Sequence, residues 1–241
     1  AWVSLASVRF VGVGTHLKFY VERGGEYYDV TPIRSTTSAG DVTFAATTGS
    51  TTITVSDTAH GALLGDSVTF SGAVSLGGDI TAAVLNQEYQ ITEIVDSDSY
   101  TITSSVAATA SDTGNGGSAV VGAYQINVGP EFTVPLSGWS ASTWGSGTWG
   151  FGDTGTDPIR LWSQSNFGED LVFGPRGGKL YYWDTSVGTG TRAVDATTLT
   201  GASNVPTIQN FVFVSDVSRF VFCFGANTLG TSSQDPLLIR W

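Results

Sequence analysis

The sequence contains no methionine, one cysteine and two histidines among its 241 residues. A lone cysteine cannot form an intramolecular disulfide, and Cys223 stands in the apolar run "FVFCFG", where we expect a small buried side chain. One cysteine and two distant histidines, His16 and His60, cannot furnish a zinc site. We therefore predict no metal and no cofactor. The missing methionine and the apolar ending "DPLLIRW" predict an internal piece of a longer polypeptide.

Basic residues are also scarce, with 10 Lys and Arg against 21 Asp and Glu. Residues 36–124 contain no Lys or Arg at all but nine acidic residues. Binding to nucleic acid by phosphate neutralisation requires a basic stripe, which this sequence lacks. No stretch approaches the roughly 18 consecutive apolar residues of a membrane span, so we predict no membrane insertion.

Short β-branched and aromatic runs separated by Gly, Asp, Ser or Asn indicate an all-β fold. Examples are "VTFAATTGSTTITVSD", "DLVFGPRGGKLYYWD" and "NFVFVSDVSRFVFCFG". The one candidate for a helical turn is "DITAAVLN" at residues 79–86, which is too short to change the class.

A partial internal repeat relates residues 17–31 to residues 171–185 without gaps. Both segments read as hairpins that turn at Arg-Gly-Gly, and each returning strand carries a tyrosine pair, with one ring expected on each face. A third hairpin is predicted at 211–224. The interval of about 40 residues between the second and third hairpins is typical of β-propeller blades, which stack face to face.

The composition divides the chain into three parts. Residues 1–35 are predicted to form the first propeller-like strands, and residues 125–241 a Trp/Gly loop followed by further propeller-like blades. Between them, the acidic segment 36–124 is rich in Thr, Ser, Ala and Gly and poor in aromatic residues. We interpret it as an inserted small β-sandwich or β-barrel domain, bounded by stretches of small polar residues.

Candidate catalytic motifs are present but incomplete. Ser67 in "LLGDSVTF" resembles the nucleophile block of a family of serine esterases, but the Asp-x-x-His partner of that family does not occur. "DSDS" at 96–99 begins like a calcium loop but lacks its later glycine and glutamate, so a hairpin turn is expected. Glu169 and Asp170 are adjacent and would point to opposite faces of a strand. We predict that the chain is not an enzyme.

Three tryptophans, Trp139, Trp144 and Trp149, lie five residues apart in the glycine-rich stretch "GWSASTWGSGTWGFG". On a straight strand an odd spacing would alternate their faces, which disfavours one flat sugar platform. No Lys or Arg occurs in residues 135–159, which disfavours stacking on nucleic-acid bases. We interpret these tryptophans as packing or interaction residues, because tryptophan is enriched at interface hot spots.

The blocks "GTHLKFYVERGGEYYDVTPIR", "LWSQSNFGEDLVFGPRGGKLYYWD" and "DPLLIRW" resemble those of tail tubular, or nozzle, proteins of short-tailed bacteriophages. They fall within residues 8–35 and 137–241. The inserted segment, with "TAHGALLGDSVTFSG", is similar to a small β module of phage structural proteins. The resemblance implies a non-enzymatic virion tail protein that self-associates in a hexameric ring, contacts other tail or adaptor proteins and forms part of the genome-ejection channel.

Two further hypotheses concern ligands. Acidic surface beside a channel would repel phosphates, so that double-stranded DNA passes transiently without specific binding. The alternative function is a carbohydrate-binding or adhesin module of a virion or cell-surface protein, since aromatic-rich β folds with glycine-rich loops often bind sugars. That alternative requires exposed, coplanar tryptophans.

Overall fold

The computed structural model describes residues 1–127 and 161–241. The chain divides into two compact units, of which the first comprises Ala1–Thr31 and Val128–Trp241 and the second Pro32–Asn127. The acidic segment 36–124 lies inside the second unit. Antiparallel strands dominate both units, which confirms the all-β prediction. In the described residues, no helix is long and apolar enough to cross a membrane.

The strands are named here in chain order. In the first unit they are β1 (Trp2–Val3), β2 (Arg9–Gly14), β3 (Phe19–Arg23), β4 (Glu26–Asp29), β12 (Trp162–Phe167), β13 (Asp170–Pro175), β14 (Tyr181–Trp183), β15 (Val194–Asp195), β16 (Phe211–Val214), β17 (Val221–Phe224) and β18 (Ile239–Arg240). In the second unit they are β5 (Ile33–Thr36), β6 (Thr43–Ala46), β7 (Thr52–Ser56), β8 (Ser67–Ser71), β9 (Glu88–Asp96), β10 (Ser99–Thr103) and β11 (Val121–Gln125). The short helix α1 (Ala82–Leu85) occupies the predicted helical turn, and 3-10 turns cover Thr185–Val187 and Ala196–Thr198.

The described part of the first unit contains three antiparallel meanders packed face to face. The first sheet is β1-β2-β3-β4, the second β12-β13-β14-β15 and the third β16-β17-β18. The second sheet lies in the middle, so strand β13 is buried on both faces: Phe173 faces the first sheet and Val172 the third. A strand in this position needs apolar residues without alternation, as "LVF" supplies.

An aromatic seam joins the first and second sheets, formed by Trp2, Phe10 and Phe19 on one side and Trp162, Phe173 and Trp183 on the other. Phe19 and Phe173 stack with ring centroids 4.1 Å apart and planes at 17°. Such aromatic pairs contribute about 0.5–1.5 kcal/mol each beyond their burial. The repeat therefore places its two equivalent phenylalanines against each other.

Glycines in β2 let the second sheet approach the first closely. A Cβ atom at Gly14 would lie less than 3.0 Å from three atoms of Trp162. The indole of Trp162 donates to the carbonyl of Thr15 at 2.6 Å, and the amide of Gln164 donates to the carbonyl of Gly12 at 3.0 Å. Side chains of β12 thus replace strand-to-strand hydrogen bonds at this edge of the first sheet.

The third sheet packs Val212, Val214 and Cys223 against the second sheet. At its edge, the backbone N–H groups of Val212 and Val214 donate to the hydroxyls of Ser163 and Ser165 at 3.1 and 3.0 Å. The two serines of β12 therefore satisfy donors that edge strands otherwise present to solvent.

The hairpins of the repeat differ in register. In the first, Gly24 and Gly25 form a two-residue turn with φ of 65° and 92°, and Glu22 pairs with Tyr27. In the second, Phe173 pairs directly with Tyr181. Because an odd shift in register exchanges the faces of a strand, Tyr27 points outward and is exposed, whereas Tyr181 is buried beside Phe173. Positions that align in sequence are thus not equivalent in space.

The second unit is one seven-stranded antiparallel sheet, in the order β5-β11-β8-β9-β10-β7-β6. Strands β6 and β8 are four positions apart, so a flat sheet would separate them by about 19 Å. Phe44 of β6 nevertheless lies 5.0 Å from Phe70 of β8 between ring centroids. The sheet is therefore folded over on a shared core, with the long strand β9 belonging to both halves. It does not close into a barrel, so the β-barrel alternative is wrong.

A chain of hydroxyl groups crosses the interior of this second unit. Tyr124 donates to Asp57 at 2.6 Å, and because its proton is then used, the Tyr100 hydroxyl, 2.8 Å away, donates to Tyr124. The Arg34 guanidinium lies 5.0 Å from the Tyr124 ring centroid. Burial and the neighbouring Tyr100 and Asp57 raise the pKa of Tyr124, and burial raises that of Tyr100, so both tyrosine hydroxyls stay protonated near neutral pH.

An ion-pair cluster stabilises the first unit. Asp29 accepts from Lys18 at 2.9 Å, from the backbone of Thr31 at 2.9 Å and lies 3.1 Å from Arg192. Burial alone would raise the pKa of Asp29, but hydrogen bonds from Thr31 and Lys18 and the charge of Arg192 outweigh it and lower that pKa. Asp29 therefore stabilises the fold above the ordinary pKa of aspartate, and this contribution is lost as the pH falls through the folded-state pKa.

We expect Gly14→Ala to lower the free energy of unfolding by about 1–3 kcal/mol, because the new methyl group overlaps Trp162. Urea denaturation measures this change. The matched control is Gly190→Ala, since a Cβ atom there meets nothing within 4 Å. Equal stability of the two variants would contradict the close approach of β2 and β12.

We expect Asp29→Asn to lower the free energy of unfolding at pH 7 by at least about 1 kcal/mol, since two cations lose their carboxylate. The difference from the unmodified chain should shrink as the pH falls below the ordinary aspartate pKa of about 3.9 and through the lowered folded-state pKa of Asp29. Asp216→Asn, in the exposed 215–220 loop, is the control and should leave the pH profile unchanged. A difference that stays constant with pH would refute the ion-pair account.

Candidate functional site

The predicted interaction residues Trp139, Trp144 and Trp149 lie outside the described residues, so their role stays a prediction. The described tryptophans are mostly structural. Trp2 and Trp183 are buried in the aromatic seam, and Trp162 is packed on Phe19.

Ser67 and His60 do not form a nucleophile-base pair. Ser67 lies on β8 opposite Gln90. The Nδ1 atom of His60 accepts from the backbone of Ala62 at 3.0 Å, and Nε2 lies 3.1 Å from the carbonyl of Asp96. Only a neutral ring protonated at Nε2 satisfies both contacts, so His60 acts as a buried structural link between two backbone segments.

The acidic motif at 96–99 is the turn between β9 and β10, as expected. Asp96 accepts from the backbone of Asp98 and from the hydroxyl of Ser99, and Asp98 accepts from the backbone of Ala59. These hydrogen bonds lower the pKa of Asp96. Across the described ranges, no three His, Cys, Asp or Glu side chains are close enough together to hold a metal ion.

Glu169 and Asp170 lie at the turn between β12 and β13, where both carboxylates serve the fold. Glu169 accepts from the backbone of Leu5 at 2.6 Å. Asp170 accepts from the hydroxyl of Tyr182 and, at 2.9 Å, from the backbone of Thr185. They line an open cleft of about 830 Å³ together with Arg23 and Arg219.

The outer side of the third sheet is a continuous apolar surface, which we call the phenylalanine face. It consists of Phe211, Phe213, Phe222, Phe224 and Ile239. The cross-strand pairs Phe211–Phe224 and Phe213–Phe222 have ring centroids 5.9 and 6.3 Å apart. Phe211 is 52% exposed and Phe213 47%. Exposed apolar patches of this kind mark protein interaction sites.

The outer side of the first sheet, at the other end of the stack, combines apolar and charged side chains. This first-sheet face carries Val3, Val11, Val13, Tyr20 and Tyr27 together with three charged residues: Glu22 lies between Val11 and Tyr27, Arg9 pairs with Val3, and Asp29 pairs with Tyr20. Val3, Val11 and Tyr27 are exposed. The three-sheet stack thus ends in two different faces, one apolar and one mixed.

The third feature is an apolar cavity of about 340 Å³ beside the core that the second and third sheets share. Its wall includes Cys223, which is buried as expected from the sequence. Burial raises the pKa of this thiol to about 11. Cys223 is therefore a neutral thiol that reacts only slowly near neutral pH.

No protein-family model matches the sequence, and no curated protein matches it. Among solved structures, the chain is similar to the phage phi92 endosialidase with 14% sequence identity and a TM-score of 0.28. The similarity covers 90% of this chain and 34% of that one, so the chain spans about a third of the length of that structure.

The sequence reasoning missed both end faces and the cavity. The segments "FVFV" and "VFCF" alternate between phenylalanine and smaller apolar residues, so hydrophobicity alone does not distinguish their inner and outer sides. The size of the side chains is the signal that could have done so, because the smaller residues pack inward and the phenylalanines lie outside.

We expect Ser67→Ala to leave any background of ester hydrolysis unchanged and to alter the free energy of unfolding by less than about 0.5 kcal/mol. His60→Ala, by contrast, should destabilise by about 1–3 kcal/mol, because two backbone groups, one of them buried, lose their hydrogen-bond partner. Thermal unfolding and a nitrophenyl-ester assay measure these effects. Loss of hydrolysis in both variants would revive the esterase hypothesis.

Proposed function

We propose that the chain is a structural subunit of a bacteriophage tail, not an enzyme, and that it assembles as a nozzle or tubular ring around the genome-ejection channel. The proposal joins the sequence resemblance to one structural observation. The stack of three sheets ends in two faces that differ from each other, the apolar phenylalanine face and the mixed first-sheet face. A stack with a different exposed face at each end can associate with further copies of itself, because one face of a copy can pack on the other face of the next.

The two faces favour head-to-tail contact. Inside the first unit, apolar sheet faces are already covered by neighbouring sheets, once through the aromatic seam and once through the valine-rich core of the third sheet. When the phenylalanine face of one copy packs on the first-sheet face of the next, the sheet-on-sheet packing inside the first unit continues between copies. Such a heterologous contact generates a closed ring when the rotation per subunit closes. We propose six subunits.

The charge of the second unit fits a role beside DNA. Six of its nine acidic residues are exposed, namely Asp41, Asp79, Glu88, Glu93, Asp96 and Asp98. The other three are buried; Asp57 and Asp112, for example, accept hydrogen bonds inside the unit. A surface of exposed carboxylates repels phosphate groups, which would let double-stranded DNA pass without specific binding.

The alternative function, carbohydrate binding, would use exposed aromatic rings. Trp2, Trp162 and Trp183 are engaged in the aromatic seam and do not offer such a platform. Quenching of tryptophan fluorescence by bacterial surface polysaccharide would nevertheless favour this alternative over the ring.

The two-face proposal is tested by placing one charge on each face. We expect Phe213→Asp and Val11→Asp each to convert the ring to monomers in sedimentation velocity, because a buried unpaired carboxylate strongly opposes association. An equimolar mixture of the two variants should form dimers, since one intact copy of each face remains. Val217→Asp, at a loop position that is 95% exposed, is the control and should assemble like the unmodified chain.

Two outcomes would contradict the proposal. If the unmodified chain sediments as a monomer at high concentration, the proposed ring assembly is contradicted. Assembly that is sensitive to Phe213→Asp but not to Val11→Asp would indicate a symmetric dimer through the phenylalanine face. Circular dichroism of each variant separates loss of assembly from loss of folding.

A further inference from the structure

The apolar cavity beside the core of the second and third sheets has the properties of a small-molecule site. Its volume of about 340 Å³ lies within the range of ligand pockets. The wall from the second sheet includes Val172 and Leu180, and that from the third includes Val221 and Cys223. Exposed residues 202–204 also line it, so the cavity reaches the surface beside this loop.

One charged side chain, Arg240, lies among the residues that line the cavity. Its guanidinium donates to the carbonyl of Asn227 at 3.1 Å and to that of Asn204, which belongs to the loop at the cavity. Arg240 pairs with Cys223 on the neighbouring strand, and its positive charge there opposes the effect of burial on the thiol pKa. In the described residues, Arg240 makes no ion pair. An uncompensated cation beside an apolar cavity complements a ligand with an apolar body and an anionic head.

We propose that this cavity binds a medium-chain carboxylate, with the alkyl chain against Val172, Leu180 and Cys223 and the carboxylate at Arg240. The alkyl chain of the ligand would make van der Waals contacts with wall atoms that have no partner in the empty cavity. The carboxylate would form charge-assisted hydrogen bonds with the guanidinium. The site lies on the inner side of the third sheet and is independent of the phenylalanine face and of the proposed ring.

Cys223 provides a direct readout, because it is the only cysteine of the chain and it lines the cavity. At mildly alkaline pH, where part of the thiol is ionised, Cys223 reacts slowly with a small thiol reagent, and a ligand in the cavity slows that reaction further. Binding at another surface leaves that rate unchanged. The labelling rate therefore reports where a ligand binds, which calorimetry alone does not.

The experiment compares octanoate with octanol, which share the alkyl chain and differ in the charged head. We expect saturating octanoate to slow labelling of Cys223 by at least about tenfold and to bind at least about tenfold more tightly than octanol, as one charged hydrogen bond warrants. Arg240→Gln should abolish the preference for octanoate, and Arg240→Lys should retain most of it. Calorimetry gives the affinities.

Variants that fill the cavity test its location. Val221→Phe and Ala196→Leu add side-chain volume at two different walls, and each should weaken octanoate binding by at least about tenfold. Two variants are used because either one alone could disturb folding, which circular dichroism monitors. Phe213→Asp, on the opposite side of the same sheet, is the control and should bind octanoate normally.

Three results would overturn the proposal. The first is a labelling rate that octanoate does not change. The second is equal affinity for octanoate and octanol in the unmodified chain. The third is octanoate binding that survives both filling variants or is lost in Phe213→Asp, since the ligand would then occupy the phenylalanine face.

Discussion

The stack of Phe19 on Phe173 is the contact on which the first unit depends. The two rings belong to segments on either side of the second unit in the chain, so their contact closes a very long loop. The entropic cost of closure grows only slowly with loop length, and a compact unit within the loop does not prevent it. The remaining seam residues extend the contact, and the glycines of β2 permit the close approach. A first sheet without this seam would have no second layer to bury its apolar side.

The middle position of the second sheet explains the composition of its neighbours. Because β13 is buried on both faces, one side must fit aromatic rings and the other must fit aliphatic side chains. The third sheet matches the aliphatic side with Val212 and Val214 and leaves its phenylalanines outside. Size complementarity between layers thus assigns the larger apolar residues of the third sheet to the surface. The exposed rings are a consequence of the packing inside.

The fold class and several turns could be predicted because glycine and aspartate mark them locally. Gly24 and Gly25 adopt positive φ, and Asp96 binds its own turn. Register could not be predicted, because it depends on the number of residues that each turn uses. The registers of the two hairpins differ by an odd number of residues, so Tyr27 is exposed and Tyr181 is buried. The open edges of the seven-stranded sheet, the end faces and the cavity all depend on contacts between distant segments. No local pattern encodes such contacts, which is why the β-barrel alternative was wrong and the faces were missed.

The serine hydroxyls that bind the backbone of β16 have a consequence for how copies of this chain can meet. An exposed strand edge invites another strand to hydrogen-bond alongside it, which leads to fibrous aggregation. Here Ser163 and Ser165 already occupy the donors of Val212 and Val214, next to the phenylalanine face. Copies can therefore approach that face from the front but cannot add a strand through these donors of β16. Two serine hydroxyls thus oppose the addition of a further strand at this edge, beside the phenylalanine face.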